Sequence, residues 1–223
     1  MSTARTPAVL VMAKTPRPGT VKTRLHPLLG PQRCAVLQAE LIRHTLETTT
    51  AQGLRTYLAY APDGGEDEDG VRDLAPAAVR LLVQRGGDLG QRLTAAVAEV
   101  FADGAGPLLV IGTDAPTLTA HHLAAAFTTL ESRDVVLGPA LDGGYYLIGM
   151  HSPHPQLFAL DTACWSTDKV LATTFALATD TGLHAELISP LRDLDTPEDA
   201  AALRDAPLLP QRIAALLDPL ETA

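Results

Sequence analysis

Thirteen consecutive residues near the start of the chain combine the types that can hold a phosphate chain: Ala13-Lys14-Thr15-Pro16-Arg17-Pro18-Gly19-Thr20-Val21-Lys22-Thr23-Arg24-Leu25. Lys14, Arg17, Lys22 and Arg24 are basic and none of the thirteen is acidic. Gly19 permits close backbone approach, and Pro16 and Pro18 stiffen the entry. The whole chain carries 17 Lys and Arg against 26 Asp and Glu, a net charge of -9, yet its first 39 residues hold six Lys or Arg and no acid. An acidic chain that keeps one end purely cationic has an anion to hold there. A solvated basic loop would account for the charges, but not for the prolines, the glycine and the position directly after an apolar run. The spacing matches neither the G-x-x-x-x-G-K-[ST] loop nor the G-x-G-x-x-G fingerprint.

The carboxylates that could act with this loop are spread along the chain. Asp114 lies immediately beyond the strongest buried-strand signal, Pro107 to Gly112, with Pro116 fixing the turn after it. An Asp there can cap a helix; it can also hold a divalent cation that in turn holds phosphates, since Mg2+ takes one or two carboxylates plus phosphate oxygens and water. Asp195, in Asp193-Leu194-Asp195-Thr196-Pro197, is the candidate second metal ligand. Asp193 competes with it, and turn and cap chemistry explains both equally well. Asp142 sits in Asp142-Gly143-Gly144-Tyr145-Tyr146, where Asp-Gly is a hairpin signal, but where two glycines also open a wall to a small acceptor. For a hydroxyl acceptor, Asp142 could position it or act as base. Trp165, the sole tryptophan, could stack on a sugar or base or simply pack. The seven histidines form no recognisable site, and no G-x-S-x-G elbow is present.

The elements that must position these residues alternate. Ala8 to Met12 reads as a buried strand, and Pro31 to Thr49 as a helix with Pro in its first turn. Leu54 to Tyr60 and Val79 to Gln84 read as strands, and Pro62 to Gly70 as an acidic loop. Gly86-Gly87-Asp88-Leu89-Gly90 opens a helix in which Asp88 caps, Gln91 follows three residues on, and Leu89, Leu93, Val97 and Val100 form the buried stripe. The glycines there could approach a ligand, though a plain capped turn explains them as well. Further helices are expected from about Thr119, over Thr167 to Ala178, and from Thr196. Asp134 to Pro139 and Tyr145 to Met150 read as an antiparallel pair, and His184 to Ile188 as a last strand. Alternation of this kind implies a mostly parallel sheet with one mixed element.

At 223 residues the chain suits one α/β domain spanning 1–223. Cys34 and Cys164 have no metal-ligand spacing and read as reduced thiols of a cytoplasmic protein. No apolar run reaches transmembrane length, and Met1 to Pro7 does not read as a signal peptide. The acidic balance argues against nucleic acid as partner, and one basic loop suits a small phosphorylated ligand better.

Lys14-Thr15-Pro16 through Gly19, Val21-Lys22-Thr23-Arg24-Leu25, Gly87-Asp88-Leu89-Gly90, Gly112-Thr113-Asp114-Ala115-Pro116, Gly138-Pro139 with Asp142-Gly143-Gly144-Tyr145-Tyr146-Leu147-Ile148-Gly149, and Asp193-Leu194-Asp195-Thr196-Pro197-Glu198-Asp199 follow one another in this order. Together they resemble a bacterial family of GT-A-fold glycosyltransferase-like proteins, the type assigned to arsenosugar biosynthesis. More distantly the chain is similar to 2-phospholactate guanylyltransferase and the molybdenum-cofactor nucleotidyltransferases. The resemblance implies a nucleotide-diphospho-sugar transferase fold, a Rossmann-like α/β/α sandwich with a mixed, mostly parallel sheet. It implies a nucleotide held by Ala13, Lys14, Arg17, Gly19, Lys22, Arg24, Gly87, Asp88, Thr113 and Asp114. An acceptor would meet Asp142, Gly143, Gly144, Tyr145 and Trp165, and Mg2+ or Mn2+ would sit on Asp114 and Asp195. The chain has Thr113-Asp114-Ala115 where the fold usually shows Asp-x-Asp, so Asp195 would replace the missing carboxylate.

Two activities fit. In a glycosyltransferase, a nucleotide sugar donates its sugar to a small acceptor, with Lys22 or Arg24 stabilising the departing diphosphate. In a nucleotidyltransferase, a substrate phosphate attacks the α-phosphorus of a nucleoside triphosphate and pyrophosphate leaves. The family label makes the first the leading reading; the density of positive charge favours the second, the alternative, because a triphosphate needs more of it. A nucleotide-binding protein without turnover is the third reading. The oligomeric state, a homodimer included, is open.

Overall fold

A computed structural model describes residues 5–61 and 67–218. Seven strands form one sheet: β1 (Thr6–Lys14), β2 (Arg55–Ala61), β3 (Arg80–Val83), β4 (Ala105–Ile111), β5 (Val135–Pro139), β6 (Tyr145–Met150) and β7 (Ala185–Leu187), in the spatial order β3-β2-β1-β4-β6-β5-β7. β1 pairs parallel with β2 and β4, and β2 with β3. β6 runs antiparallel to both β4 and β5, while β7 is parallel to β5. β6 therefore brings its N-terminal end to the sheet edge where β1 and β4 bring their C-terminal ends.

Alternation along the strands sends side chains to two apolar layers. Val9, Val11, Leu109 and Ile111 pack with Ile42 and Leu46 of α1 (His26–Thr50) and with Leu123, Ala126 and Leu130 of the helix over Ala120–Leu130. Ala8, Leu10, Leu108 and Val110 face the other way, onto Leu93, Val97 and Val100 of the helix over Leu89–Ala102 and onto Ala178 of the helix over Val170–Asp180. These helices are α3, α4 and α5 by chain order, after the short α2 (Asp67–Arg72). A third cluster joins the first half of α1 to Leu194, α6 (Pro197–Arg204) and α7 (Gln211–Ala214). The result is the expected mixed-sheet α/β/α sandwich. Among the described residues no helix is long and apolar enough to cross a membrane.

The structure departs from the sequence reading in four places. α1 starts five residues early, but Gly30 breaks it at φ 72°, ψ 161°, so the regular helix does begin at Pro31. Of the expected acidic loop, residues 67–70 belong to α2, and 62–66 lie outside the described residues. α5 begins at Val170, after a turn, instead of at Thr167. Leu89 is 42 % exposed, outside the buried stripe to which its spacing assigned it, because it occupies the first helical position at the mouth of a cleft.

Candidate active site

A cleft of about 490 Å³ opens at the C-terminal ends of β1 and β4. β1 and β4 are neighbours from which the chain goes on to strands toward opposite edges, β1 to β2 on one side and β4 to β5 on the other, and such a switch point is where open α/β sheets take their ligands. Ala13 and Lys14 reach the cleft from the end of β1, Thr113 and Asp114 from just beyond β4, and Tyr145 and Tyr146 from the start of β6.

The basic loop folds back so that Lys22, in the left-handed region at φ 50°, ψ 40°, sends its side chain inward. Its ammonium donates to Asp114 Oδ1 at 2.5 Å, Asp195 Oδ1 at 2.9 Å and the Leu194 carbonyl at 2.9 Å. Burial alone would lower the pKa of Lys22, but the Asp114 and Asp195 carboxylates outweigh it and raise the value. The Leu194 amide in turn donates to the Asp114 carbonyl at 2.7 Å, so the loops after β4 and before α6 are sewn together. Asp199 fixes the second of these: one oxygen accepts from the Thr196 amide and hydroxyl, the other from Arg192, and Thr196 Oγ1 accepts from the Asp199 amide. This capping box at the start of α6 holds Asp195 in place.

Asp193 stands apart from Asp195. Its Oδ1 is buried without a hydrogen-bond partner, and burial, followed by the charges of Asp114, Asp142 and Asp195, pushes its pKa up to about 8 against the opposing pull of Lys22. The carboxyl is therefore neutral over most of the physiological range, beside two that are paired.

On the opposite wall Asp142 Oδ1 accepts from the Gly144 amide at 2.9 Å, which fixes the hairpin turn. Tyr146 is buried, its hydroxyl donating to the Ser189 carbonyl and its ring lying against Gly138, where a Cβ would come within 2.5 Å of the ring. Gly143, at φ 93°, packs against Asp168, where a Cβ would meet the backbone at 2.3 Å. It stands outside the cleft lining.

Of the residues expected at the nucleotide, Ala13, Lys14, Lys22, Arg24, Thr113 and Asp114 line the cleft, as do Asp142, Gly144, Tyr145 and Trp165 on the acceptor side and Asp195 between them. Arg17, Gly19, Gly87 and Asp88 do not. Asp88 is a helix cap: its Oδ1 accepts from the Gln91 amide at 2.8 Å and Oδ2 from the Gln91 side chain. The structure adds Arg92, whose Nε donates to the Gly86 carbonyl; Gln84, which donates to the carbonyls of Ala13 and Ala59; and Gln38, which donates to Thr113 Oγ1. Arg92 follows the Gly-Gly-Asp-Leu-Gly turn by two residues and was legible as a further cation there. The two glutamines lie on elements remote in sequence and gave no signal.

A divalent cation can be tested against these groups. Among the described residues no three His, Cys, Asp or Glu side chains are arranged to hold a metal. Asp114 and Asp195 do form a pair of hard oxygen donors brought together by one ammonium, and the hydrogen bonds described at each engage Oδ1 alone. Asp193 adds a buried oxygen that lacks a partner. Two carboxylates beside a phosphate-sized cleft is the protein contribution that Mg2+ or Mn2+ uses, with phosphates and water completing the shell. The residues fit such an ion.

A three-layer sheet with cations and paired carboxylates at its switch point belongs to the class of transferases that work on nucleotide-activated substrates. The chain belongs to the family described as "Uncharacterized protein conserved in bacteria (DUF2064)", whose model matches residues 45–167. It is 30% identical over 204 residues to the phosphoenolpyruvate guanylyltransferase of Chloroflexus aggregans, covering 87% of this chain and 91% of that protein. Its structure matches that of a candidate nucleotide-diphospho-sugar transferase from Desulfovibrio desulfuricans G20 with a TM-score of 0.85 and 27% identity, over 95% of this chain and 93% of that one. Rv0371c of Mycobacterium tuberculosis, crystallised with manganese, shares the fold at a TM-score of 0.55 and 18% identity, over 93% and 99% of the two chains. The chain is a transferase of the nucleotidyl and nucleotide-diphospho-sugar class.

Proposed function

We propose that this chain is a nucleotidyltransferase that joins a nucleoside triphosphate, GTP in the first instance, to the phosphate of a small phosphorylated acid. The observation that carries the reading is the likeness, over 87% of the chain, to a phosphoenolpyruvate guanylyltransferase. The cleft supports it: Lys14, Arg24 and Arg92 line the side where a triphosphate would lie. An oxygen of the acceptor phosphate attacks the α-phosphorus, the bond from that phosphorus to its bridging oxygen breaks, and pyrophosphate leaves. A phosphate monoester is largely dianionic at neutral pH, so this nucleophile needs no general base. Mg2+ or Mn2+ on Asp114 and Asp195 would supply neutralisation of the phosphate charges. Lys14, Arg24 and Arg92 hold the triphosphate in line, and Gly144, Tyr145 and Trp165 form the acceptor wall. Metabolite substrates make the cytoplasm the expected location, and the chain acts as one domain.

A second reading, glycosyl transfer from a nucleotide sugar, is favoured by the naming of the Desulfovibrio protein. There Asp142 would take the acceptor proton. The deciding experiment supplies purified protein with Mg2+, each nucleoside triphosphate and phosphoenolpyruvate, and follows pyrophosphate release and the diphosphate product by phosphorus NMR. Turnover is expected with GTP, reduced about hundredfold or more in Asp114→Ala. Turnover with nucleotide sugars and with no triphosphate would replace this reading by the second.

A further inference from the structure

The basic loop suggests that Lys22 meets the phosphates, but its geometry gives it another task. An ammonium has three donors, and all three of Lys22 are committed to protein: Asp114 Oδ1, Asp195 Oδ1 and the Leu194 carbonyl. Its side chain is 4 % exposed, whereas those of Asp114 and Asp195 are 43 % and 36 % exposed. The ammonium thus lies beneath the two carboxylates and not in front of them. It draws one oxygen of each downward, and the second oxygen of each is left to the open side. The left-handed backbone at Lys22, uncommon outside glycine, aims the stem into this seat.

We infer that Lys22 is a positioning residue, a buried clamp that sets the spacing of Asp114 and Asp195 for one divalent cation, and that it does not bind the nucleotide. The inference rests on the metal component of the function proposed above. Lys14, Arg24 and Arg92 remain to meet the phosphates. Groups that hydrogen-bond a metal's ligands fix their orientation, and losing one typically weakens metal binding by 10–100-fold.

The test separates three roles by affinity. Mn2+ binding is measured by electron paramagnetic resonance, and GTP binding separately in EDTA, for the wild type, Lys22→Met and Lys22→Arg. A clamp predicts Mn2+ binding weakened about tenfold or more in both variants with metal-free GTP affinity within about twofold of the wild type. Arginine keeps the charge but its planar fork cannot fill the same three-way seat. Loss of GTP affinity in EDTA with Mn2+ binding intact would make Lys22 a phosphate ligand and overturn the clamp. So would tighter Mn2+ binding in Lys22→Met, the mark of an ammonium that merely occupies the metal's place.

A second measurement needs no variant. The chain has three lysines, Lys14, Lys22 and Lys169, and Lys14 and Lys169 are exposed. Under an amine-acylating reagent read by mass spectrometry, Lys22 should label far more slowly than the other two. It should stay slow at a Mn2+ concentration that fills the site; acceleration on adding Mn2+ would overturn the clamp. Absence of Mn2+ binding in the wild type, with and without GTP, would overturn the metal reading together with this inference. Equal Mn2+ binding in wild type and variants would overturn the inference alone.

Discussion

Asp142 is the residue at which the two chemistries diverge. Its Oδ1 is held by the Gly144 amide, so its place is fixed by the turn and not by a ligand. A hydroxyl acceptor needs a base to take its proton, and a phosphate acceptor does not. Asp142→Asn should therefore leave guanylyl transfer within about tenfold of the wild type, whereas loss of a general base costs about 10²–10⁴ in rate. The readout is kcat for pyrophosphate release; a drop of a thousandfold would count against phosphate as the nucleophile. At this scale the sequence was informative where function leaves a local mark. Lys22 and Asp114 stood out by charge and by position after strands, and the structure brings them together across 92 residues. Asp193 and Asp195 were indistinguishable by spacing, since only the fold makes one paired and the other buried. Gln38 and Gln84 carry no local mark at all, because what defines them is the carbonyl or hydroxyl they meet in space.

Elements hold those residues by close approach. At the start of α3 a Cβ on Gly90 would stand 2.2 Å from the Phe158 carbonyl and 3.3 Å from the indole nitrogen of Trp165, so α3 and the segment that carries Trp165 meet through this glycine. On Gly87, three residues earlier, a Cβ would find nothing nearer than the Gln91 side chain at 3.7 Å. Gly90→Ala should cost about 1–3 kcal/mol through overpacking, a fall of several degrees in Tm, and should raise KM as the Trp165 wall shifts. Gly87→Ala should change both little, and an equal effect from the two would contradict this account. The strands, helices and the Asp88 cap were readable because hydrophobic period and capping are local properties. The placement of β6 between β4 and β5 was not, because strand order is set by pairings such as Leu109 with Gly149, and Gly149 admits no Cβ against Leu109 and Val136. The turn of helix before Gly30 was not read either, since the sequence reading starts the helix at Pro31, where the regular helix does begin.

On the scale of the whole molecule, the switch point gathers Asp114, Asp142, Asp193 and Asp195 around one buried ammonium, and the folded chain must tolerate that concentration of charge before any cation arrives. It does so by keeping Asp193 protonated: burial first, then the three neighbouring carboxylates, hold its pKa up near 8. Unfolded, an Asp titrates near 3.9. Between those two values the folded chain retains a proton that the unfolded chain has released, so this group makes stability fall as pH rises from about 4 to about 8, with little further change above. Asp193→Asn, neutral at every pH and of the same shape, removes that slope. In EDTA its Tm should match the wild type near pH 4 and exceed it at pH 8 by the equivalent of a few kcal/mol. Added Mg2+ offers the four carboxylates an opposite charge, favours the ionised form of Asp193, and should shrink the difference. Melting curves from pH 4 to 9, with EDTA and with Mg2+, measure both effects; parallel curves for the two proteins in EDTA would show that Asp193 ionises in the folded chain as it does in the unfolded one.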